Sequence, residues 1–194
     1  MKTTDKDYIN EYIINKSKFI SILCPVHSKK DVTDKLNYYK NIYKGATHYC
    51  TAYIIDDYSK YSDNGEPSGT AGVPILNILA KNNLNHILCI VVRYFGGIKL
   101  GAGGLIRAYS TSTKEVINIS NIVSLHKGYL ITIKFNYDHI KNIDNLLKNT
   151  ILTKKFEDYV YYTFKISEEK LLEINSALEN ISTIIKKENT LLQN

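Results

Sequence analysis

The chain has 194 residues, of which 44% are hydrophobic and 23% charged, and its formal net charge at pH 7 is +6. This composition excludes a disordered or fibrous chain and is typical of a globular protein with its own core. The longest apolar run, residues 87–92, is too short to cross a bilayer, and the polar N-terminus shows no apolar leader. We therefore expect a cytoplasmic protein that does not contact a membrane.

In chain order, the first part of the sequence predicts a mixture of strands and helices. Apolar residues alternate in the strand segments and recur at helical spacing in the helix segments. Segment 86–94 is almost wholly apolar, which is typical of a central strand covered on both faces. The predicted strands are 8–14, 18–26, 48–56 and 86–94, and the predicted helices are 30–43, 73–82 and 105–119.

The chain changes character near residues 124–128, because beyond residue 104 it contains no proline and only one glycine, Gly128. We predict a linker there, between a domain over 1–124 and a domain over 128–194. The second domain shows the order strand–helix–strand–strand–helix–strand, which is the ferredoxin-like βαββαβ arrangement. The whole chain is thus predicted to be an α+β protein. The predicted strands are 129–135, 151–156, 160–166 and 183–187, and the predicted helices are 137–148 and 168–180.

The distribution of positive charge indicates which partners the chain could bind, and the cysteine pattern indicates whether it holds a metal. Residues 1–120 carry 15 Lys and Arg against 10 Asp and Glu, whereas residues 121–194 carry 10 against 9. A basic first domain is compatible with nucleic acid, although solvated lysines are the commoner cause of such an excess. The three cysteines lie far apart in apolar segments, so we expect reduced core residues, no metal site and no cofactor. They are Cys24, Cys50 and Cys89.

Both arginines of the chain, Arg93 and Arg107, flank a segment that contains five of the ten glycines. The segment lies between an apolar strand and a helix, where backbone N–H groups and the helix dipole together form an anion site. Arg107 is predicted in the first turn, where the dipole opposes a cation unless an anion lies nearby. The segment matches neither a P-loop nor a dinucleotide fingerprint. The candidate anion- or nucleic-acid-binding residues are Arg93, Lys99, Gly101, Gly103, Gly104, Arg107 and Lys114.

An alternative interpretation stays open, in which the glycines only permit tight packing and the arginines pair with carboxylates of their own domain. Asp63 and Glu66, in a second glycine-rich loop, are the expected partners. These two acids could instead serve an enzyme together with Ser68 and His48, although Ser68 lies in no nucleophile-elbow pattern. The loop residues singled out are His48, Asp63, Glu66, Ser68 and Thr70, with Ser68 and Thr70 as candidate helix caps.

Four motifs resemble the Impact/YigZ family. They are KSKF at 16–19, ATHYCTAY at 46–53, SDNGEPSGTAGVP at 62–74 and VRYFGGIKLGAGGLIRAY at 92–109. The last two are long and specific, and they cover the first domain. The second domain resembles the small C-terminal domain of bacterial members only in its order of elements.

The resemblance implies a fold for each domain and a connection with translation. The first domain is expected to be like the second domain of ribosomal protein S-five and domain four of elongation factor G, and the second like the last domain of that factor. Eukaryotic Impact proteins regulate translation with help from an extra N-terminal domain, which this sequence does not show, so we do not expect that role to transfer. Bacterial members are thought to bind nucleic acid or the translation machinery.

Three functions remain open from the sequence. The first, which we favour, is an RNA- or ribosome-associated protein connected with regulation of translation, monomeric and non-catalytic. The second is an enzyme that acts on a phosphorylated or acidic small molecule. The third is a protein-interaction adaptor whose glycine-rich motif is architectural.

Overall fold

The computed structural model describes residues 1–193, which divide into two compact units, Met1–Ser124 and a second unit from Leu125 onward. Helices and strands are mixed along the chain, and the predicted α+β class is confirmed. None of the helices in the described residues is long and apolar enough to span a membrane. The first unit contains β1 (Lys2–Thr4), β2 (Tyr8–Ile14), β3 (Ser17–Pro25), α1 (Lys29–Ile42), β4 (His48–Ile55), β5 (Tyr58–Ser62), α2 (Gly72–Lys81), β6 (Ile87–Tyr94) and α3 (Gly101–Ile119).

The first unit is built around a five-stranded antiparallel sheet in the order β2-β3-β6-β4-β5. Helix α1 covers one face of the sheet, and α2 and α3 cover the other. The central strand β6 is therefore buried from Ile87 to Arg93, which explains its continuous apolar sequence. Arg93 lies at the end of this strand, between Phe19 of β3 and His48 of β4. Strand β6 thus places Arg93 at the end of the sheet that borders the two glycine-rich loops, 63–72 and 96–104.

The second unit has the βαββαβ order that the sequence predicts. Its sheet runs β10-β7-β9-β8, with every neighbouring pair antiparallel, so the ferredoxin-like prediction is confirmed. Ile143 of the first helix and Leu171 and Ile174 of the second are buried in its core. The elements are β7 (Ile122–Phe135), whose first residues pair with β1, α4 (Ile140–Leu147), β8 (Ile151–Phe156), β9 (Val160–Ser167), α5 (Glu168–Glu179) and β10 (Thr183–Gln193).

The predicted linker at 124–128 is wrong, because this segment lies inside β7. Gly128 pairs with Ser167 on one side and with Thr190 on the other. A Cβ atom there would come within 2.5 Å of the carbonyl oxygen of Ile166, so strand packing, rather than a turn, requires the glycine. The strands β1 and β5 were not predicted. Strand β5 is exposed at all five positions and has no apolar alternation that would reveal it.

Candidate functional site: the glycine-rich loops of the first unit

Helix α3 begins at Gly101, four residues before its predicted start at Leu105. Glycine is a weak helix former, so the glycines of this turn concealed the boundary in the sequence. The N-cap residue, Leu100, makes no side-chain hydrogen bond to the first turn. Arg107 is consequently the seventh helical residue, and its predicted place in the first turn is wrong. The turn that carries the uncapped N–H groups is made of glycine and alanine.

Arg93 is held by its own domain. Its Nη1 donates to Oε1 of Glu66 at 2.6 Å, and the two side chains are 5% and 3% exposed. Its Nη2 donates to Oγ of Ser17 at 3.4 Å. Its Nε is buried without a hydrogen-bond partner in the described part of the chain, which costs about 1–3 kcal/mol. Of the two interpretations of the arginines, internal pairing therefore describes Arg93.

Tyr109 completes the network around Glu66, and it is not among the candidate site residues indicated by the sequence. Its hydroxyl donates to Oε1 of Glu66 at 2.8 Å, and the thiol of Cys50 lies 3.2 Å from the same hydroxyl. Burial, the neighbouring Cys50 and the Glu66 carboxylate raise the pKa of Tyr109 far above its ordinary value, so it remains a donor. The sequence could indicate only that a buried tyrosine here needs a hydrogen-bond partner for its hydroxyl, and it could not identify that partner.

Asp63 does not pair with either arginine, contrary to the expectation from the sequence. Its carboxylate accepts hydrogen bonds from the backbone N–H groups of Gly69, Ala71 and Gly72, at 2.8–3.0 Å. Burial alone would raise the pKa of Asp63, but these three donors lower it below the ordinary carboxyl value. Asp63 therefore caps the N-terminus of α2 from a distance.

Neither Ser68 nor Thr70 caps α2, so that prediction is wrong. The N-cap is Ala71, which makes no side-chain hydrogen bond. The Thr70 hydroxyl donates to the carbonyl of Pro67 at 2.6 Å, and Ser68 is exposed. Thr70 thus stabilises the turn before the helix, and the carboxylate of Asp63 occupies the helix N–H groups instead.

His48 faces Glu66 from the neighbouring strand. Its Nδ1 lies 2.8 Å from the carbonyl oxygen of Asn64, which can only accept, so Nδ1 carries a proton. Its Nε2 lies 3.8 Å from Oε2 of Glu66. Arg93 and Tyr109 both donate to Oε1 of Glu66, so this oxygen is already engaged, which weakens the enzymatic alternative for it.

The remaining basic residues of the motif are exposed. The side chains of Arg107, Lys99 and Lys114 make no ion pair or hydrogen bond with any described residue of the chain. The Nη1 atom of Arg107 lies 3.9 Å from the position that a Cβ would take at Gly103. Its guanidinium therefore lies beside the uncapped first turn of α3, where the helix dipole alone would repel it.

Gly96 and Gly103 of the motif differ in the space that is available for a Cβ atom. A Cβ at Gly96 would lie 2.0 Å from the backbone carbonyl group of Lys16, so the fold itself requires glycine there. A Cβ at Gly103 would meet only the 3.9 Å contact with Arg107. Gly103 destabilises the helix by roughly 0.5–1 kcal/mol relative to alanine, and the packing of the domain does not require it. A glycine of this kind is suited to the close approach of a ligand to the backbone.

A cavity of about 420 Å³ lies between these loops and the start of α3. Of the predicted residues, His48, Glu66, Arg93, Lys99 and Gly101 border it, whereas Asp63, Ser68, Thr70, Gly103, Gly104, Arg107 and Lys114 do not. Sequence reasoning missed Phe95 and Leu100, which also border it. No cluster of His, Cys, Asp and Glu among the described residues could hold a metal ion.

Comparison with known proteins places this motif in a wider group. Residues 15–117 match the family described as the Impact N-terminal domain. The chain is 38% identical over 167 residues to the IMPACT family member YvyE of Bacillus subtilis, covering 84% of this chain and 76% of that protein. It is 29% identical over 179 residues to the IMPACT family member YigZ of Escherichia coli, covering 87% of each. A crystal structure described as a hypothetical protein superposes with a TM-score of 0.67 at 26% identity, over 92% of this chain and 91% of that one.

Proposed function

The chain belongs to the Impact family, and from this membership and the geometry of helix α3 we propose that it is an RNA- or ribosome-associated protein connected with translation. The phosphate groups of RNA bind at the first turn of α3 and along the exposed side of that helix. The contacts come from Arg107, Lys99 and Lys114, with the backbone N–H groups of the turn assisting.

The observation that carries this proposal is the position of Arg107. Its guanidinium lies beside Gly103 in an uncapped first turn and has no acidic partner among the described residues. A guanidinium and free N–H groups on one small surface attract the same ligand, which is an anion. A bound phosphate satisfies both, and it removes the repulsion between the cation and the helix dipole.

The neighbouring charges favour a polyanion over a single small ion. Lys99 lies in the loop before the helix, and Lys114 is two turns beyond Arg107 on the exposed side. Residues seven apart on a helix lie on the same face, about 10 Å apart along the axis. Phosphates along a nucleic-acid strand recur every few ångströms, so one strand can contact both ends of this surface, whereas an isolated phosphate contacts only one end.

Arg93 has a different role in this proposal, because Glu66 and Ser17 hold its guanidinium inside the domain. It fixes the loop that precedes α3, since the N–H of Gly96 also donates to Oγ of Ser17 at 3.2 Å. The contacts to phosphate therefore come from Arg107, Lys99 and Lys114. Arg93 positions the loop that carries Lys99.

The test measures RNA affinity as a function of salt concentration by fluorescence anisotropy. The variant Lys99→Ala/Arg107→Ala/Lys114→Ala should bind single-stranded RNA more weakly, and the slope of log affinity against log salt should fall by about 2. Lys81→Ala is the matched control, because Lys81 is exposed on α2 and lies outside this surface. If the triple variant keeps the affinity and slope of the wild-type protein, the proposal is wrong.

A further inference from the structure

The lining of the cavity beside α3 combines two kinds of groups. Lys99 and the uncapped first-turn residues Gly101 and Ala102 can attract an anion. Phe95, Pro67 and Leu105 offer apolar surface. A ligand that contacts both kinds of groups carries an anionic group attached to an apolar or planar body.

A second feature of this cavity is an incompletely paired cation in its wall. Arg93 borders the cavity and is only 4% exposed, and its buried Nε has no hydrogen-bond partner among the described residues. A guanidinium offers five donors, of which Glu66 and Ser17 engage one each. Spare donors therefore remain on a guanidinium whose residue lines the cavity.

Phe95 is the aromatic residue of this lining. Its side chain is 46% exposed although it is a large aromatic residue, and the guanidinium carbon of Arg93 lies 5.5 Å from its ring centre. Exposed aromatic rings next to arginine are the usual platforms on which unpaired bases stack. Phe95 and Lys99 line the same cavity, so one ligand can reach both.

We propose that this cavity binds a single nucleotide, with its base on Phe95 and its phosphate at the first turn of α3 beside Lys99. This inference rests on the proposed function for the source of the nucleotide, which is an unpaired residue of the bound RNA. A free mononucleotide has the same chemistry, and the experiment separates the two sources. A base inside a duplex is stacked and paired, so it cannot enter the cavity.

The experiment has two readouts. The first follows the imidazole NMR signals of His48, which borders the cavity, while adenosine monophosphate is added, with His48→Gln used to assign the signals. The second measures affinity for a single-stranded RNA and for a blunt RNA duplex with the same number of phosphates. Three variants are compared with the wild-type protein. Ala102→Leu fills the cavity from an exposed helix position, Phe95→Ser removes the platform, and Lys114→Gln removes a charge outside the cavity.

If the inference is right, the mononucleotide shifts the His48 signals of the wild-type protein and not those of Ala102→Leu. Phe95→Ser loses about tenfold in affinity for single-stranded RNA and keeps its duplex affinity within about twofold, whereas Ala102→Leu, which lies in the phosphate-binding first turn, weakens both RNAs and loses more affinity for the single strand. Lys114→Gln weakens both RNAs alike. Thermal melts confirm that each variant is folded, and agreement between two unrelated substitutions excludes a local distortion.

Two other outcomes separate this inference from the proposed function. The inference is overturned, and the proposed function stands, if the protein binds RNA but adenosine monophosphate leaves His48 unchanged and neither cavity variant alters the ratio of single-strand to duplex affinity. The proposed function is overturned if the mononucleotide binds but the wild-type protein binds neither RNA. In that case the cavity is a site for a free nucleotide, and RNA is excluded as its source.

Discussion

Glu66 and Arg93, 27 positions apart in the chain, form an ion pair of 2.6 Å in which both side chains are almost completely buried. Tyr109 donates to the same carboxylate oxygen at 2.8 Å. The pair joins the loop before α2, the end of the central strand β6 and the body of α3. A buried pair of this kind is sensitive to the loss of one partner, because the other charge is left without compensation.

Removing the cation of this pair should strongly destabilise the protein. We expect Arg93→Met to lower the free energy of unfolding by about 3–5 kcal/mol, because the Glu66 carboxylate then stays buried without its partner. The double variant Arg93→Met/Glu66→Gln should recover part of this loss. Urea unfolding measures all three proteins. Arg107→Met is the control, since Arg107 is exposed and unpaired in the described chain, and it should change stability by about 0.5 kcal/mol or less. Equal effects at the two arginines would contradict the prediction.

The cap that Asp63 provides should make stability depend on pH in the acidic range. The folded pKa of Asp63 is lowered, so its contribution is present above the unfolded pKa, near 3.9, and is lost as pH falls through the lower folded pKa. We expect Asp63→Ala to lower the free energy of unfolding by about 1–2 kcal/mol at pH 7. The difference from the wild-type protein should shrink towards pH 2.

Chemical denaturation at a series of pH values measures this dependence. Asp34→Ala is the matched control, because Asp34 is exposed on α1 and makes no hydrogen bond or ion pair within the described residues. A difference between Asp63→Ala and the wild-type protein that stays constant from pH 7 to pH 2 would show that the carboxylate charge does not contribute.

The two glycines Gly96 and Gly103 should respond oppositely to alanine. Gly96→Ala places a Cβ 2.0 Å from the backbone of Lys16 and should cost at least about 2 kcal/mol of stability. Gly103→Ala meets no close neighbour in a helix, and it should raise stability by roughly 0.5–1 kcal/mol. Thermal melts and urea unfolding check both values. If RNA approaches the backbone at Gly103, the same stabilised variant loses RNA affinity, whereas unchanged affinity would mean that phosphate does not approach there.

The three cysteines should be inert in the folded protein. All three are free and buried, and burial raises the pKa of Cys50 and of Cys89 to about 12. Burial also raises the pKa of Cys24, with a smaller effect of Asp7 in the same direction. At pH 8 we expect no thiol to react with a disulfide reagent in buffer and all three to react in denaturant. Rapid reaction of one thiol in buffer would mean that the first unit opens locally.

Much of the fold could be predicted because it depends on local patterns. Strand β2 and strand β8 have the predicted bounds, and the order of elements in the second unit follows from alternation and helical spacing alone. The wrong predictions occur at glycines, because glycine is found in loops and also where the backbone of a strand or helix is closely approached. Gly128 was predicted in a linker and lies inside a strand, and the glycines of α3 were predicted in a loop and form its first turn. A glycine shows where the backbone is unusual, but only its neighbours in space show why.

By itself, the sequence determined the family, the α+β class and the segment where both arginines lie. It did not determine which carboxylate meets which arginine, because Asp63 and Glu66 lie three residues apart in the same loop and either could reach. The tertiary structure decided this. It directs Asp63 to the N–H groups of α2 and Glu66 to Arg93, and it leaves Arg107 beside an uncapped helix with no acidic partner in the described chain. The reason is geometric. Each possible pairing joins one carboxylate to one guanidinium, so charge alone favours none of them. The positions of β6, α2 and α3 determine which groups come into contact.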